Sequence, residues 1–238
     1  MIAIGPLFVD VYSLMKPRIK LAETTTNDGS VMSLLEHDGD FAISFNGQDL
    51  MHSKASTSER QLGRVGVVRL PKEEPTRILI GGLGLGLTLK SVLADAGPDA
   101  EVTVAELNPD LVEWNRKFLS KLNGGVVDDP RVIIRPGDVT KIIKKTKENI
   151  YDVILLDVDN GPIAMVTKKN SSLFTYMGVR FIKDALKPYG RAVFWSAGPD
   201  PKFEILLNKA GFKVTAIPAK VHERAKRAAY MLYVADNR

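Results

Sequence analysis

Short apolar runs alternate along the chain with longer stretches of helical periodicity, and the alternation becomes regular from Arg77 onward. The runs Ile78–Ile80, Val102–Glu106, Val132–Ile134, Val153–Asp157, Ala192–Ser196, Phe212–Ile217 and Tyr230–Val234 read as strands. Helical patterns lie between them, and the one over Phe174–Leu186 ends near Pro188 and Gly190. Strands separated by helices predict an α/β fold with a doubly wound, mostly parallel seven-stranded sheet. Only a loop separates the last two strands, which predicts an antiparallel hairpin at one edge.

The N-terminal part follows another rhythm. Val31–Glu36 and Phe41–Phe45 flank His37-Asp38-Gly39-Asp40, with its Asp-Gly turn, and Asn46-Gly47 precedes Leu50-Met51. Asp-Gly and Asn-Gly between apolar runs predict β-hairpins. A helix is expected near Ser58 to Val68, and Pro71 and Pro75 mark a boundary. The expected organisation is a small antiparallel β-region with a linking helix over 1–70, followed by an α/β domain over 71–238.

The most informative stretch runs from Ile78 to Glu106: a strand, the turn Gly81-Gly82-Leu83-Gly84-Leu85-Gly86, a helix, a second strand and a terminal acid. A glycine turn after a strand lets a nucleoside approach the backbone, and an acid at the next strand's end can accept two ribose hydroxyls. Gly82, Gly84 and Gly86 are therefore candidate cofactor-binding positions with Glu106. Dinucleotide sites use the wider spacing G-x-G-x-x-G. The tighter alternation resembles the class I S-adenosylmethionine fold, a Rossmann-like sheet whose cofactor carries no phosphate. Gly137-Asp138, following Val132–Ile134, extends the pattern. Asp138 can accept from the adenine amino group, cap the following helix, or do both.

Composition narrows the classes. The 238 residues suffice for one well-buried α/β domain with a small appendage. No apolar run is long enough to span a bilayer and no secretory leader pattern is present, so a cytoplasmic location is expected without membrane association. The chain has no cysteine and three scattered histidines, which removes thiolate chemistry and gives no expectation of a metal. Net charge is +5. The basic residues concentrate at Lys141, Lys144, Lys145 and Lys147, and at Lys220, Arg224, Lys226 and Arg227. The first group has helical spacing and reads as a solvated face. Neither group is interleaved with aromatics, so nucleic-acid binding is not expected. The chain does not decide between monomer and homodimer, nor whether the basic loop near Arg224 meets an acidic partner.

The fourth strand ends in Asp157-Val158-Asp159-Asn160-Gly161-Pro162. Ligands of such sheets bind at the carboxyl ends of the strands. An amine is protonated near neutrality and must lose a proton before attacking a sulfonium carbon, so a carboxylate placed there can bind it and serve as base. Asp157 and Asp159 are the candidate catalytic acids, with Asp157 also beside the cofactor. Both residues are also good turn formers.

These motifs together resemble the spermidine synthase-like aminopropyltransferases. The resemblance runs from the small β-region through the glycine turn, Glu106, Gly137-Asp138 and the Asp157 motif. In that family the last motif reads D-x-x-D-P, and its first Asp assists deprotonation of the amine acceptor. Asp157 takes that position, whereas the second acid falls on Asn160 with Gly161 before Pro162. The family's turn, G-G-G-D-G-G, carries an acid for the amino group of decarboxylated S-adenosylmethionine. The turn here has none. The family's Tyr-Gln and Tyr-His-Glu signatures are missing, and Gln48, His52 and Glu59 occupy roughly that region. Gln48, Asn160 and Tyr176 are the candidate substrate contacts, and Trp195 and Ser196, at the end of the fifth strand, are further candidates near the site.

Intact S-adenosylmethionine has a carboxylate that an acidic turn would repel. The acid-free turn therefore makes methyl transfer from S-adenosylmethionine to a small nucleophile, such as an amine, the leading expectation. Aminopropyl transfer from decarboxylated S-adenosylmethionine to a polyamine is the alternative. A nucleoside-binding protein without turnover is the least favoured reading.

Overall fold

The computed structural model describes residues 17–26, 29–157 and 172–238. Four strands, β1 (Ile19–Thr25), β2 (Val31–His37), β3 (Asp40–Phe45) and β4 (Gln48–His52), form an antiparallel sheet in sequence order. His37 pairs with Asp40 and Phe45 with Gln48, so each hairpin turns on two residues. Asp38, Gly39, Asn46 and Gly47 all have positive φ, the backbone that two-residue hairpins with right-handed twist require. β1 lies at the edge of this sheet and was not legible in the sequence.

A second sheet holds β5 (Arg77–Gly81), β6 (Glu101–Glu106), β7 (Val132–Pro136), β8 (Tyr151–Leu156), β9 (Leu186–Ser196), β10 (Phe212–Ala219) and β11 (Tyr230–Asn237). Its order is β10-β11-β9-β8-β5-β6-β7, parallel except where β11 runs between β10 and β9. All seven expected strands are present, including the antiparallel pair at the edge. From β5 the chain steps to β6 and β7 on one side and then returns to β8 on the other. That reversal opens a crevice at the carboxyl ends of β5 and β8, where such sheets bind ligands.

The helices are α1 (Thr57–Val67), α2 (Leu87–Asp95), α3 (Pro109–Lys117), α4 (Ser120–Asn123), α5 (Val139–Lys145), α6 (Tyr176–Ala185) and α7 (Pro201–Lys209). α6 ends at Ala185 and the chain enters β9 at once. The expected break at Pro188 and Gly190 is instead an irregularity of the strand: Tyr151 pairs with Leu186 and Val153 with Arg191, and Tyr189 has φ +65°. In α5 the lysines are exposed and Ile143 is buried, the solvated face expected of that helix.

Two apolar clusters sandwich the large sheet. One gathers Ile154, Leu156, Ile182 and Phe194; the other gathers Leu62, Ile78, Ile80, Val104 and Leu155. Close passage explains the small residues of α1: a Cβ on Gly63 would sit 2.7 Å from the Ser91 Cβ, and one on Gly66 would sit 2.5 Å from a Leu155 methyl. α1 thus lies against α2 and the large sheet. A third cluster, with Leu34, Ile43, Leu85, Leu87, Leu111 and Trp114, seats the small sheet beside the glycine turn. Among the described residues no helix is long and apolar enough to cross a membrane.

Candidate active site

β5 ends at Gly81 and the turn that follows is held on every side. Gly82 N–H donates to the Ala105 carbonyl at 2.9 Å, and the Asp157 amide donates to the Gly81 carbonyl at 3.0 Å. Beneath the turn lie two fully buried amides. Asn115 Nδ2 donates to the Gly84 and Leu111 carbonyls at 2.9 and 2.8 Å. Asn123 Nδ2 donates to Asn115 Oδ1 at 2.7 Å and lies 3.3 Å from the Leu85 carbonyl. Gly86 is required here twice over: its φ is +78°, and a Cβ would sit 2.7 Å from Asn115 Oδ1 and 2.8 Å from Asn123 Nδ2. Buried polar groups that are all partnered fix a loop in one conformation.

Glu106 closes β6 and is buried. It accepts from the Leu83 and Asn108 amides at 2.9 and 2.8 Å. Burial pushes its carboxyl up, and the amide donors pull it partly back. Asp138 caps α5, accepting from the Thr140 amide at 2.7 Å. The structure thus brings Gly82, Gly84, Gly86, Glu106, Asp138 and Asp157 to one edge of the sheet. Asp159 and Asn160 lie outside the described residues.

Next to the turn is a pocket of about 210 Å³, lined by residues of β4, α1 and β9 together with Asp157 and Tyr230. Thr88, in the first turn of α2, donates to Asp157 Oδ2 at 2.5 Å. Glu59 accepts from the Ser58 hydroxyl at 2.6 Å. Trp195 and Tyr230 pack with ring centroids 4.8 Å apart, and the buried Trp195 Nε1 has no hydrogen-bond partner. Met51 also lines the pocket, and its sulfur would lie 2.7 Å from a Cβ on Gly84. Gly84 stands fourth in the turn, where the family pattern has its acid, so a thioether fills the place of that side chain.

The pocket's carboxylates differ sharply. Asp49 is gripped by both terminal nitrogens of Arg18 at 3.0 and 2.5 Å, which holds its carboxyl below the usual range. Glu59 and Asp157 have no ion-pair partner among the described residues. Burial pushes Asp157 up to about 6 even though Thr88 donates to it. Burial and the nearby Asp157 charge push Glu59 up to about 7. Desolvation raises both carboxyls, and the charge of either one opposes ionisation of the other. They titrate as a pair.

Of the remaining sequence candidates, Gln48 is exposed at the start of β4 and outside the pocket lining. Tyr176 is 42% exposed in the first turn of α6, with Lys209 Nζ 6.0 Å from its ring centre. Ser196 is buried and donates to the Gly198 carbonyl. The pocket presents Glu59 and Trp195, both pointed to by the sequence, together with Tyr230, which was not. The packing of α1 on the large sheet brings Glu59 beside Asp157.

Residues 58–208, more than half of the chain, match the model of the spermine/spermidine synthase domain. The chain belongs to that family. Among related proteins, the polyamine aminopropyltransferase of Korarchaeum cryptofilum is 32% identical over 115 residues, covering 48% of this chain and 35% of that protein. Polyamine aminopropyltransferase 2 of Pseudomonas aeruginosa is 33% identical over 125 residues, covering 51% and 33%. The chain spans well under two thirds of the length of these curated relatives. Spermidine synthase from Thermotoga maritima superposes with a TM-score of 0.71 at 20% identity, covering 92% of this chain and 73% of that one. A spermidine synthase solved with the transition-state analogue AdoDATO gives 0.69 at 21% identity, covering 92% and 72%. The α/β fold with its small antiparallel sheet is therefore the family's fold.

Proposed function

We propose that the protein transfers an aminopropyl group from decarboxylated S-adenosylmethionine to an amine. The observation that carries this is the Glu59–Asp157 pair, two desolvated carboxylates that line a pocket with Trp195 and Tyr230 and form no ion pair among the described residues; the Arg60 charge offsets Glu59 only in part. An ammonium among these carboxylates and aromatic faces would supply the missing balance. Family membership and the aminopropyltransferase relatives support aminopropyl transfer over methyl transfer, the leading expectation from sequence. That expectation rested on the acid-free turn. The pocket offers negative charge from α1 and β8, so an ammonium does not depend on an acid in the turn itself.

In the proposed reaction the acceptor nitrogen attacks the aminopropyl carbon bonded to the sulfonium. The N–C bond forms, the C–S bond breaks, and its electron pair returns to sulfur, leaving methylthioadenosine. Asp157 orients the amine and takes its proton, with Glu59 beside it stabilising the positive charge. Glu106 holds the ribose hydroxyls and Asp138 the adenine edge, while the glycine turn admits the nucleoside to the backbone. The residues fit such a nucleoside: a buried acid closes β6, a second acid follows β7, and an anchored turn lies before them.

The test is to incubate the protein with each donor and a panel of small amines and to identify the nucleoside product by mass. Methylthioadenosine is expected from decarboxylated donor. Accumulation of S-adenosylhomocysteine from the intact donor, with no turnover of the decarboxylated one, would restore the methyltransferase reading.

A further inference from the structure

The segment between β10 and β11 carries Lys220, His222, Arg224, Lys226 and Arg227, all exposed. Among the described residues none of them forms an ion pair, and Glu223 is the segment's one acid. Its location gives this charge meaning. At one end, the Thr57 amide donates to the Val221 carbonyl at 3.4 Å, which fastens the segment to the first residue of α1, two positions before Glu59. At the other end, the segment runs directly into Tyr230, which lines the pocket and feels the charge of Glu59. A short turn with Ala225 N–H donating to the His222 carbonyl holds its middle. The basic segment is therefore tied to the pocket wall at both ends.

Two opposite fields then meet in one site: carboxylates without an ion-pair partner among the described residues inside the pocket, and a segment of net positive charge beside it. A linear dication has an ammonium at each end, so one end lying toward the basic segment would be repelled. A molecule with an ammonium at one end and an anion at the other satisfies both. We propose that the acceptor is an amine bearing an acidic group, with its ammonium between Glu59 and Asp157 and its anion toward Arg224, Lys226 and Arg227. This rests on the amine-acceptor reading above and specifies the class of amine. Screened exposed charges are individually weak, so the segment's influence is collective and falls with salt.

The test is calorimetric binding of 4-aminobutyrate and of 1,4-diaminobutane, matched in chain length, to the full chain with and without methylthioadenosine. Wild-type protein should bind 4-aminobutyrate more tightly. In R224Q/K226Q/R227Q that affinity should fall by roughly tenfold at low salt, about what three exposed charge contacts supply together, while diamine affinity holds or rises. K141Q/K145Q, on α5, removes two exposed positive charges elsewhere and should leave both ligands unaffected. A wild-type preference for the diamine overturns the proposal. So does a preference that survives the triple substitution, or that the α5 control abolishes equally. Because binding is read without turnover, absence of aminopropyl transfer would count against the proposed reaction and leave this result standing.

Discussion

Glu59→Gln should make the ligand-free protein more stable while weakening its hold on amines. At pH 8 the wild-type pocket holds Glu59 and Asp157 ionised, neither of them in an ion pair among the described residues. A carboxyl whose pKa is raised by folding binds more protons in the native chain than in the unfolded one. Stability therefore falls as pH rises from the ordinary value of 4.5 through about 7, and then levels off. For Glu59 that shift corresponds to roughly 3 kcal/mol at about 1.4 kcal/mol per unit, and solvent reaching the pocket lowers it to about 2 kcal/mol. Glutamine keeps an acceptor for Ser58 and removes the charge. A gain of about 2 kcal/mol raises Tm by roughly 4–8 °C in a chain of this size. Thermal unfolding from pH 5 to 8.5 should show wild type and variant converging at the acid end and separating above pH 7. An added amine should stabilise wild type more than the variant. Parallel Tm–pH curves for the two proteins would refute the unbalanced pair on which the proposed function depends.

Asp157→Asn should lower turnover by about 10²–10⁴ with little change in nucleoside affinity, as expected for a lost proton acceptor; stopped-flow or mass detection of methylthioadenosine measures it. In wild type the rate should rise as pH passes about 6, where Asp157 loses its proton. Glu106→Gln keeps the shape at the end of β6 but trades an acceptor for a donor, and should weaken methylthioadenosine binding by roughly 1.5–3 kcal/mol, the scale of hydrogen bonds to a charged group. Equal affinity by calorimetry would show that Glu106 serves only the Leu83 and Asn108 amides. Asn123→Leu leaves Asn115 Oδ1 without its donor, for a stability loss of about 1–3 kcal/mol. It should also weaken nucleoside binding because the turn is no longer held, and urea unfolding alongside calorimetry separates the two effects.

The parts legible in the sequence were those encoded locally. Asp38-Gly39 and Asn46-Gly47 specify their hairpins because left-handed backbone is needed at those positions. Gly81–Gly86 and Glu106 could be placed because a strand, a turn and a helix surround them in register. β1 escaped notice because Ile-Lys-Leu-Ala-Glu-Thr-Thr is polar at alternate and adjacent positions alike, as an edge strand with little burial allows. The pocket was only partly legible: Asp157, His52, Glu59 and Trp195 could be set near the site, whereas Tyr230 and the way these residues meet could not. Glu59, Trp195 and Tyr230 are far apart in the chain, and each has an ordinary local role on a helix or strand. They meet in one pocket when α1 lies on β8 and β11 pairs with β9. Asn115 and Asn123 give no local sign of their role, since nothing near them in sequence shows that they face a turn some thirty residues earlier.

The matched family segment, residues 58–208, contains Gly82, Gly84, Gly86, Glu106, Asp138 and Asp157 but leaves out Asp49–His52 and Tyr230, which form much of the pocket wall. On the proposed function, the nucleoside end of the site lies within the shared stretch, and much of the proposed acceptor wall lies in its flanks. The two ends could then be inherited separately: changes in the flanks would redirect the choice of acceptor, while the residues proposed to hold the donor stay intact.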